Sequence, residues 1–142
     1  MKKLTRRSVL AIAGLVVAAV AASAQTLTAE IPLEFHLGNH VLAAGAYEVE
    51  ILKTAAGIPV FRFTEAHLGQ SAVLMAQVPF DPRKEWADGK GRLVFACIDR
   101  RCALAELWSG PGSHAYSFSS PKPGKGETAD LREIPMQPGK SE

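Results

Sequence analysis

Two cysteines are the residues here best placed to do chemistry. Cys97 and Cys102 flank Ile98-Asp99-Arg100-Arg101. With Asp99-Arg100 as a two-residue turn, Ile98 faces Arg101 and Cys97 faces Cys102. The closing pair of such a hairpin is hydrogen-bonded, so the cysteines form the next, non-hydrogen-bonded pair. Cα atoms there sit about 4.5 Å apart, at the lower end of disulfide separations. The spacing therefore predicts a cross-strand disulfide, favoured in an oxidising compartment. It would close a very short loop, worth about 2 kcal/mol, and fix the hairpin register. The alternative is two reduced thiols packed as small apolar groups. A catalytic redox pair does not fit, because the spacing is not Cys-x-x-Cys and no helix N-terminus lies there to lower a thiol pKa. Two cysteines alone are also an incomplete metal set.

The remaining polar candidates resolve into ordinary surface features. His36 and His40 are four apart, but Gly38-Asn39 between them marks a turn rather than a helix face, and His67 and His114 fall in loops or at strand ends. No His-Glu-x-x-His spacing occurs. Ser109-Gly110-Pro111-Gly112-Ser113-His114 has the letters of a nucleophile elbow in the wrong order, and its Gly and Pro serve a turn. Glu48 and Glu50 lie on one strand face about 7 Å apart by strand rise, not across a cleft as glycoside hydrolysis needs. Gly89-Lys90-Gly91 lacks the rest of a phosphate-binding loop. Trp86, in Asp81-Pro82-Arg83-Lys84-Glu85-Trp86, is a candidate contact residue, since Trp is favoured in interaction hot spots; the alternative is a Trp folded back to cap the end of the domain. The sequence thus offers no catalytic, cofactor-binding or metal site.

The elements that must position these residues read as strands. From Thr28, Ala29, Ile31, Leu33, Phe35 and Leu37 alternate with Glu30, Pro32, Glu34 and His36, which is period two. Pro32 marks an edge or a bulge. Gly38-Asn39 and Ala43-Ala44-Gly45 supply turns. Tyr47, Val49 and Ile51 alternate again, Val60–Thr64 carries Phe61 and Phe63 on one face, and Ser71–Val78 reads as a strand buried on both faces. Pro79–Gly91 is a long charged loop with room for a helical turn over Arg83–Ala87. Arg92–Ile98 and Arg101–Ser109 form the clearest hairpin, and Ala115–Phe118 a last short strand. Turn signals every 8–12 residues or so predict an all-β domain, a small antiparallel β-sandwich or flattened barrel of about seven or eight short strands. Residues 119–142 contain four prolines, three glycines and little apolar content, and are expected to form a flexible tail, with Leu131 and Ile134 available for a brief edge contact.

Charge separates the first 24 residues from the rest. The 142-residue chain has 16 basic and 14 acidic side chains, a formal net charge of +2. Lys2, Lys3, Arg6 and Arg7 lie in residues 1–24, which hold no acid, so the remainder is slightly acidic. A basic head, an apolar run over Val9–Ala22 and Ala22-Ser23-Ala24 form the three-part pattern of a secretory signal peptide, cleaved between Ala24 and Gln25. The run is about 14 residues, against about 20 for a spanning helix, so no stable membrane span is expected after cleavage. Thr5-Arg6-Arg7-Ser8-Val9-Leu10 also partly resembles a twin-arginine signal; general secretion is the other route. The expected organisation is a signal peptide over 1–24, one β-domain over 25–118 and a tail. Its charge does not suit nucleic acid.

Ile31-Pro32-Leu33-Glu34-Phe35-His36-Leu37-Gly38, followed by Leu42-Ala43-Ala44-Gly45-Ala46-Tyr47-Glu48-Val49, resembles the N-terminal pattern of a group of uncharacterised small exported bacterial β-rich proteins. Their pattern reads Ile/Val-Pro-Phe-x-Phe-x-x-Gly, then Leu-Pro-Ala-Gly-x-Tyr-x-Val. Leu33 stands in place of the first Phe and Ala43 in place of Pro. The resemblance implies an exported β-rich domain and carries no activity with it. The sequence reading is accordingly an exported, non-enzymatic interaction or structural module in the periplasm, at the envelope or outside the cell. It needs no cofactor, its partner is unknown, and nothing requires more than a monomer. A second reading is a small carrier of an apolar ligand, its cavity lined by Phe61, Phe63, Leu74, Phe95 and Trp108. A third, a hydrolase or metalloenzyme, lacks a motif.

Overall fold

Alternation decides which side chains enter the core, because successive residues of a strand point to opposite faces. In β1 (Thr26–Ile31), Leu27, Ala29 and Ile31 are buried and Glu30 is exposed. The computed structural model describes residues 26–87 and 89–139. The expected signal peptide and the Ala24–Gln25 cleavage point lie outside the described residues. The apolar alternation that begins in β1 does not continue as one strand to Leu37. Pro32 has no N–H to give to a ladder, and the chain leaves the first sheet there. It resumes as β2 (Phe35–Leu37) in the second sheet, with Phe35 and Leu37 still buried. Gly38-Asn39 then turns the chain into β3 (His40–Leu42), with Gly38 at φ +62°.

Three long antiparallel neighbours follow, β4 (Gly45–Lys53), β5 (Pro59–Glu65) and β6 (Ser71–Met75). Next come β7 (Pro79–Phe80) and a single 3-10 turn at Lys84–Trp86, inside the stretch where the sequence allows a helical turn. The hairpin of β8 (Arg92–Ile98) and β9 (Arg101–Trp108) leads to β10 (Ala115–Ser117), β11 (Asp130–Pro135) and β12 (Gln137–Pro138). One sheet has the order β12-β1-β4-β5-β6. The other has the order β11-β8-β9-β10-β7, with β2 joined to β9 by a parallel bridge at His36 and Ala103, and β3 joined to β2. The protein is an all-β sandwich. The twelve strands among the described residues exceed the expected seven or eight because Pro32 splits one strand, the short β3 and β7 form in stretches expected as turn and loop, and the C-terminal segment adds two.

Aromatic rings fill the space between the sheets. Phe35 lies edge-on to Tyr47 and to Phe95, each at 5.2 Å between centroids, and Phe63 stands 6.3 Å away. Phe61 meets Phe118 at 5.4 Å and Tyr116 at 5.5 Å. Such tilted and edge contacts match the charge distribution of the rings.

Two expectations are corrected. The segment after residue 118, expected as a flexible tail, carries β11, which pairs with β8 from Asp130 to Pro135, and β12, which pairs with β1. Ile134 and Met136 are buried in the main core, so the domain extends past residue 118 to Pro138. Low apolar content misleads here because an edge strand needs few inward side chains. Ser71–Val78, read as buried on both faces, is instead an outer edge, where Ala72 is buried but Val73, Met75 and Val78 are exposed.

Candidate functional site

The β8–β9 hairpin forms as its spacing predicts. Ile98 opposes Arg101, Cys97 opposes Cys102 with Cα atoms 4.0 Å apart, and the two are disulfide-bonded. Asp99, the first turn residue, has φ +56°, the left-handed conformation that primed hairpin turns require at this position. Both cysteines point into the core. Their neighbours Ala96, Ile98 and Ala103 therefore face outward and floor a groove of about 720 Å³. Arg100, Arg101 and Lys122 stand on its rim with Asp99 and Glu127, a small cationic excess. A small apolar floor with a mixed, slightly basic rim can hold an extended chain or an anionic group. His36 and Ser119 also line it, but no hydrogen bond joins them among the described residues.

A second cluster lies on the same outer face of this sheet. Val94, Trp108 and Ala115 present an apolar patch, and the charged loop folds over it. Trp86 is consequently not the exposed contact residue the sequence proposes; its side chain is fully buried. Its indole stacks on Trp108 at 5.7 Å with the planes 21° apart, and Phe80 tilts against it at 6.4 Å. Its Nε1 donates to Glu133 Oε1 at 3.1 Å, while Glu133 Oε2 accepts from Arg92 at 3.1 Å. The Arg83 guanidinium sits 5.6 Å from the Trp86 ring centroid and pairs with Glu106 at 2.6 Å. The loop charges thus fasten a tryptophan cap rather than display it. This is the folding-back alternative, and Glu133 of β11 completes it.

The other candidates are dispersed. His36 is at the groove, His40 opens β3, His67 lies in the β5–β6 turn and His114 precedes β10; the last three are exposed. No group of three metal-ligating side chains occurs among the described residues. Ser113 offers its carbonyl to Trp108 Nε1 at 3.1 Å, a turn contact. Glu48 is exposed, and Glu50 is ion-paired with Arg62 on β5. Phe61, Phe63 and Phe95 are fully buried in the main core, Leu74 packs at its margin, and Trp108 lies in the outer cluster. The five residues of the carrier reading therefore do not share one space.

Glu65 carries no motif and sequence reading misses it. It is buried at the end of β5, opposite Tyr47 on β4. Its carboxylate accepts the backbone N–H of Leu68 and, at 3.0 Å, that of His67. The Leu68 bond above all, with the His67 bond and the His67 side chain, holds its pKa below the usual value against the opposing effect of burial. Tyr47 donates its hydroxyl to the Ala43 carbonyl, and its pKa is raised by burial and then by the Glu65 charge. The only signal available was an acid at the start of the turn Glu65–Gln70.

Fold and site together define a disulfide-bonded all-β sandwich with an open groove beside its cross-linked hairpin. Among the described residues no helix is long and apolar enough to cross a membrane. Comparison with protein-family models, curated proteins and solved structures gives no match.

Proposed function

We propose that the protein is an exported, non-enzymatic β-sandwich that works in the periplasm, at the cell envelope or outside the cell by holding a partner. The observation that carries this reading is the Cys97–Cys102 bond beside the groove. A disulfide persists in oxidising compartments and is rare where cellular reductants act. Here it braces the hairpin tip from which Asp99, Arg100 and Arg101 rim the groove. The N-terminal charge pattern and Ala22-Ser23-Ala24 support export, with removal of the first 24 residues as a signal peptide. The chemistry-bearing side chains also have structural work. Glu65 caps a turn, Glu133 and Glu106 fasten the tryptophan cap, and Glu50 pairs with Arg62.

The test is native mass spectrometry of the protein recovered from the envelope and medium fractions of the producing cell. The expected species has the mass of Gln25–Glu142 less two hydrogens and does not react with a thiol alkylator. A precursor mass, or two alkylated thiols, would overturn the export reading. A copurified lipid or a stoichiometric metal would overturn the non-enzymatic module in favour of a carrier or metalloenzyme.

A further inference from the structure

The groove beside the cross-linked hairpin carries cations that hold no carboxylate. Arg62, Arg83 and Arg92 are each ion-paired, with Glu50, Glu106 and Glu133. Arg100 and Arg101 at the hairpin tip and Lys122 after β10 line the groove, and their side chains make no ion pair or hydrogen bond among the described residues. The acids there are Asp99 and Glu127, and the Glu127 carboxylate already accepts the Gly124 N–H at 3.3 Å.

One wall of the groove is a strap. β10 and β11 lie on opposite sides of the β8–β9 pair, so Ser119–Ala129 must return across the sheet. Ser119, Pro121, Lys122 and Glu127 share the groove with Ala96 and Ala103, so the return runs over the outer face. Three strand spacings amount to about 14 Å, whereas the eleven residues reach up to about 36 Å. From Ser119 to Thr128 the hydrogen bonds among the described residues join only Gly124 and Glu127, within the strap itself. The strap is slack and unfastened to the sheet beneath it, so it can shift to admit a chain while β10 and β11 stay in place. Ala96 opposes Ala103 in the floor, which leaves room for small side chains above them.

We propose that the groove takes an extended acidic peptide segment of a partner, with carboxylates on Arg100, Arg101 and Lys122 and small apolar side chains over Ala96 and Ala103. Charge makes the choice. The planar fork of arginine matches a carboxylate, and unpaired arginines at an open groove complement an acidic chain and repel a basic one. The mixed rim disfavours a continuous polyanion, whose phosphates would also lie against Asp99 and Glu127, and no Phe, Tyr or Trp among the described residues lines the groove for bases to stack on. A peptide spaces its acids, so the residues between them can pass Asp99 and Glu127. The proposal rests on the reading of the groove as the place where a partner is held, and adds that partner's chemistry.

The probe is the hexapeptide Val-Glu-Val-Glu-Val-Glu, blocked at both ends, titrated into the oxidised mature chain and followed by amide chemical shifts. Saturable shifts are expected at Ala96, Ala103 and Lys122, and binding weakens as salt is added. Peptides with Gln or Lys in place of Glu bind at least about tenfold more weakly. Joint substitution Arg100→Glu and Arg101→Glu weakens the acidic peptide by at least about tenfold and makes the Lys peptide the better ligand. Lys122→Glu, exposed and outside every strand, weakens the acidic peptide with the fold intact and so gives an independent readout should the double variant misfold. Lys53→Glu, at the end of β4 in the other sheet, has no effect. No saturable shift in the groove up to millimolar peptide, equal binding of the Gln peptide, or indifference to both the arginine and the Lys122 substitutions overturns the proposal. So does tighter binding of inorganic phosphate, a deoxythymidine oligonucleotide or phosphatidylglycerol vesicles at the same residues. The export and non-enzymatic readings fail separately, on a precursor mass, a metal or a lipid, whatever the peptide does.

Discussion

The indoles of Trp86 and Trp108 stack 5.7 Å apart on the outer face of the second sheet, although 21 residues of loop and strand separate them in the chain. The pair anchors the charged loop, so Trp86→Ala should remove about 3–5 kcal/mol of stability, the cost of emptying a buried aromatic site. Trp86→Phe keeps a ring but loses the bond to Glu133, and should cost about 1.5–3 kcal/mol. Urea unfolding of the two variants checks the order. Equal midpoints for Trp86→Ala and the unsubstituted chain would show that the cap bears no weight.

Glu65 should make stability depend on acid. Its folded pKa lies below the ordinary value of 4.5, so its contribution is complete above about that pH and is lost as pH falls through the lower folded value. Glu65→Gln should be less stable than the unsubstituted chain at neutral pH and lose less on acidification. Tyr47 has the opposite sign: its folded pKa is raised, so its contribution is present below the ordinary value of 10.0 and lost as pH rises through the raised one. Removing the Glu65 charge should bring the Tyr47 phenol back toward ordinary titration, readable as phenolate absorbance.

Gly38 and Asp99 hold the same position in two different hairpins, the first residue of a two-residue turn, and both have positive φ. Glycine adopts that conformation freely and aspartate at some cost. Asp99→Gly should therefore raise stability by about 0.5–1 kcal/mol, and Asp99→Val should lower it by about 1–2 kcal/mol. Thermal unfolding of the oxidised protein decides; a stabilised Asp99→Val variant would contradict the turn geometry.

Replacing both Cys97 and Cys102 by Ser should lower stability by about 2 kcal/mol, because the closed loop is short, and should leave the fold in place. Backbone chemical shifts in the variant should change at Arg100, Arg101 and the groove floor and hardly at all in β4 and β5. Global unfolding of the variant would show that the bond does more than pin its hairpin.

A chain that stops at Thr128 should fail to fold cooperatively. It lacks the inward side chains of Ile134 and Met136, the ladder along β8, and the Glu133 carboxylate that holds Trp86. Loss of the sharp unfolding transition is the expected readout, whereas a truncated chain as stable as the full one would restore the sequence expectation of a dispensable tail.

What could be read from the residues was local. Cys97 and Cys102 follow from two-residue turn arithmetic, and Ala29, Ile31, Phe35 and Leu37 follow from period two, with Leu33 of the same set only partly buried. What escaped depends on partners remote in sequence. Trp86 looked available for contact because its neighbours are charged, and its burial follows only once Val94, Trp108 and Ala115 are brought beneath the loop. Val73 and Met75 looked like core because apolar runs suit doubly covered strands, and nothing local says that a strand is last in its sheet. The groove was equally invisible, since its floor comes from β8 and β9 and part of its rim from Lys122 and Glu127, in the segment expected to be a tail.

β12 pairs with β1, Leu27 opposite Pro138, and Gly139 N–H bonds the Thr26 carbonyl at 2.8 Å. The earliest and latest strands of the described chain are thus neighbours, and β11, the outer strand of the second sheet, lies against β1 on the same side of the sandwich. A polypeptide that emerges from a ribosome, or threads through a membrane pore, with its N-terminal end leading can form the middle hairpins early. It cannot close this side until Asp130–Pro138 have arrived. Closure of the sandwich therefore waits on that segment, and any factor that guards the unfinished domain has to stay until it is in place.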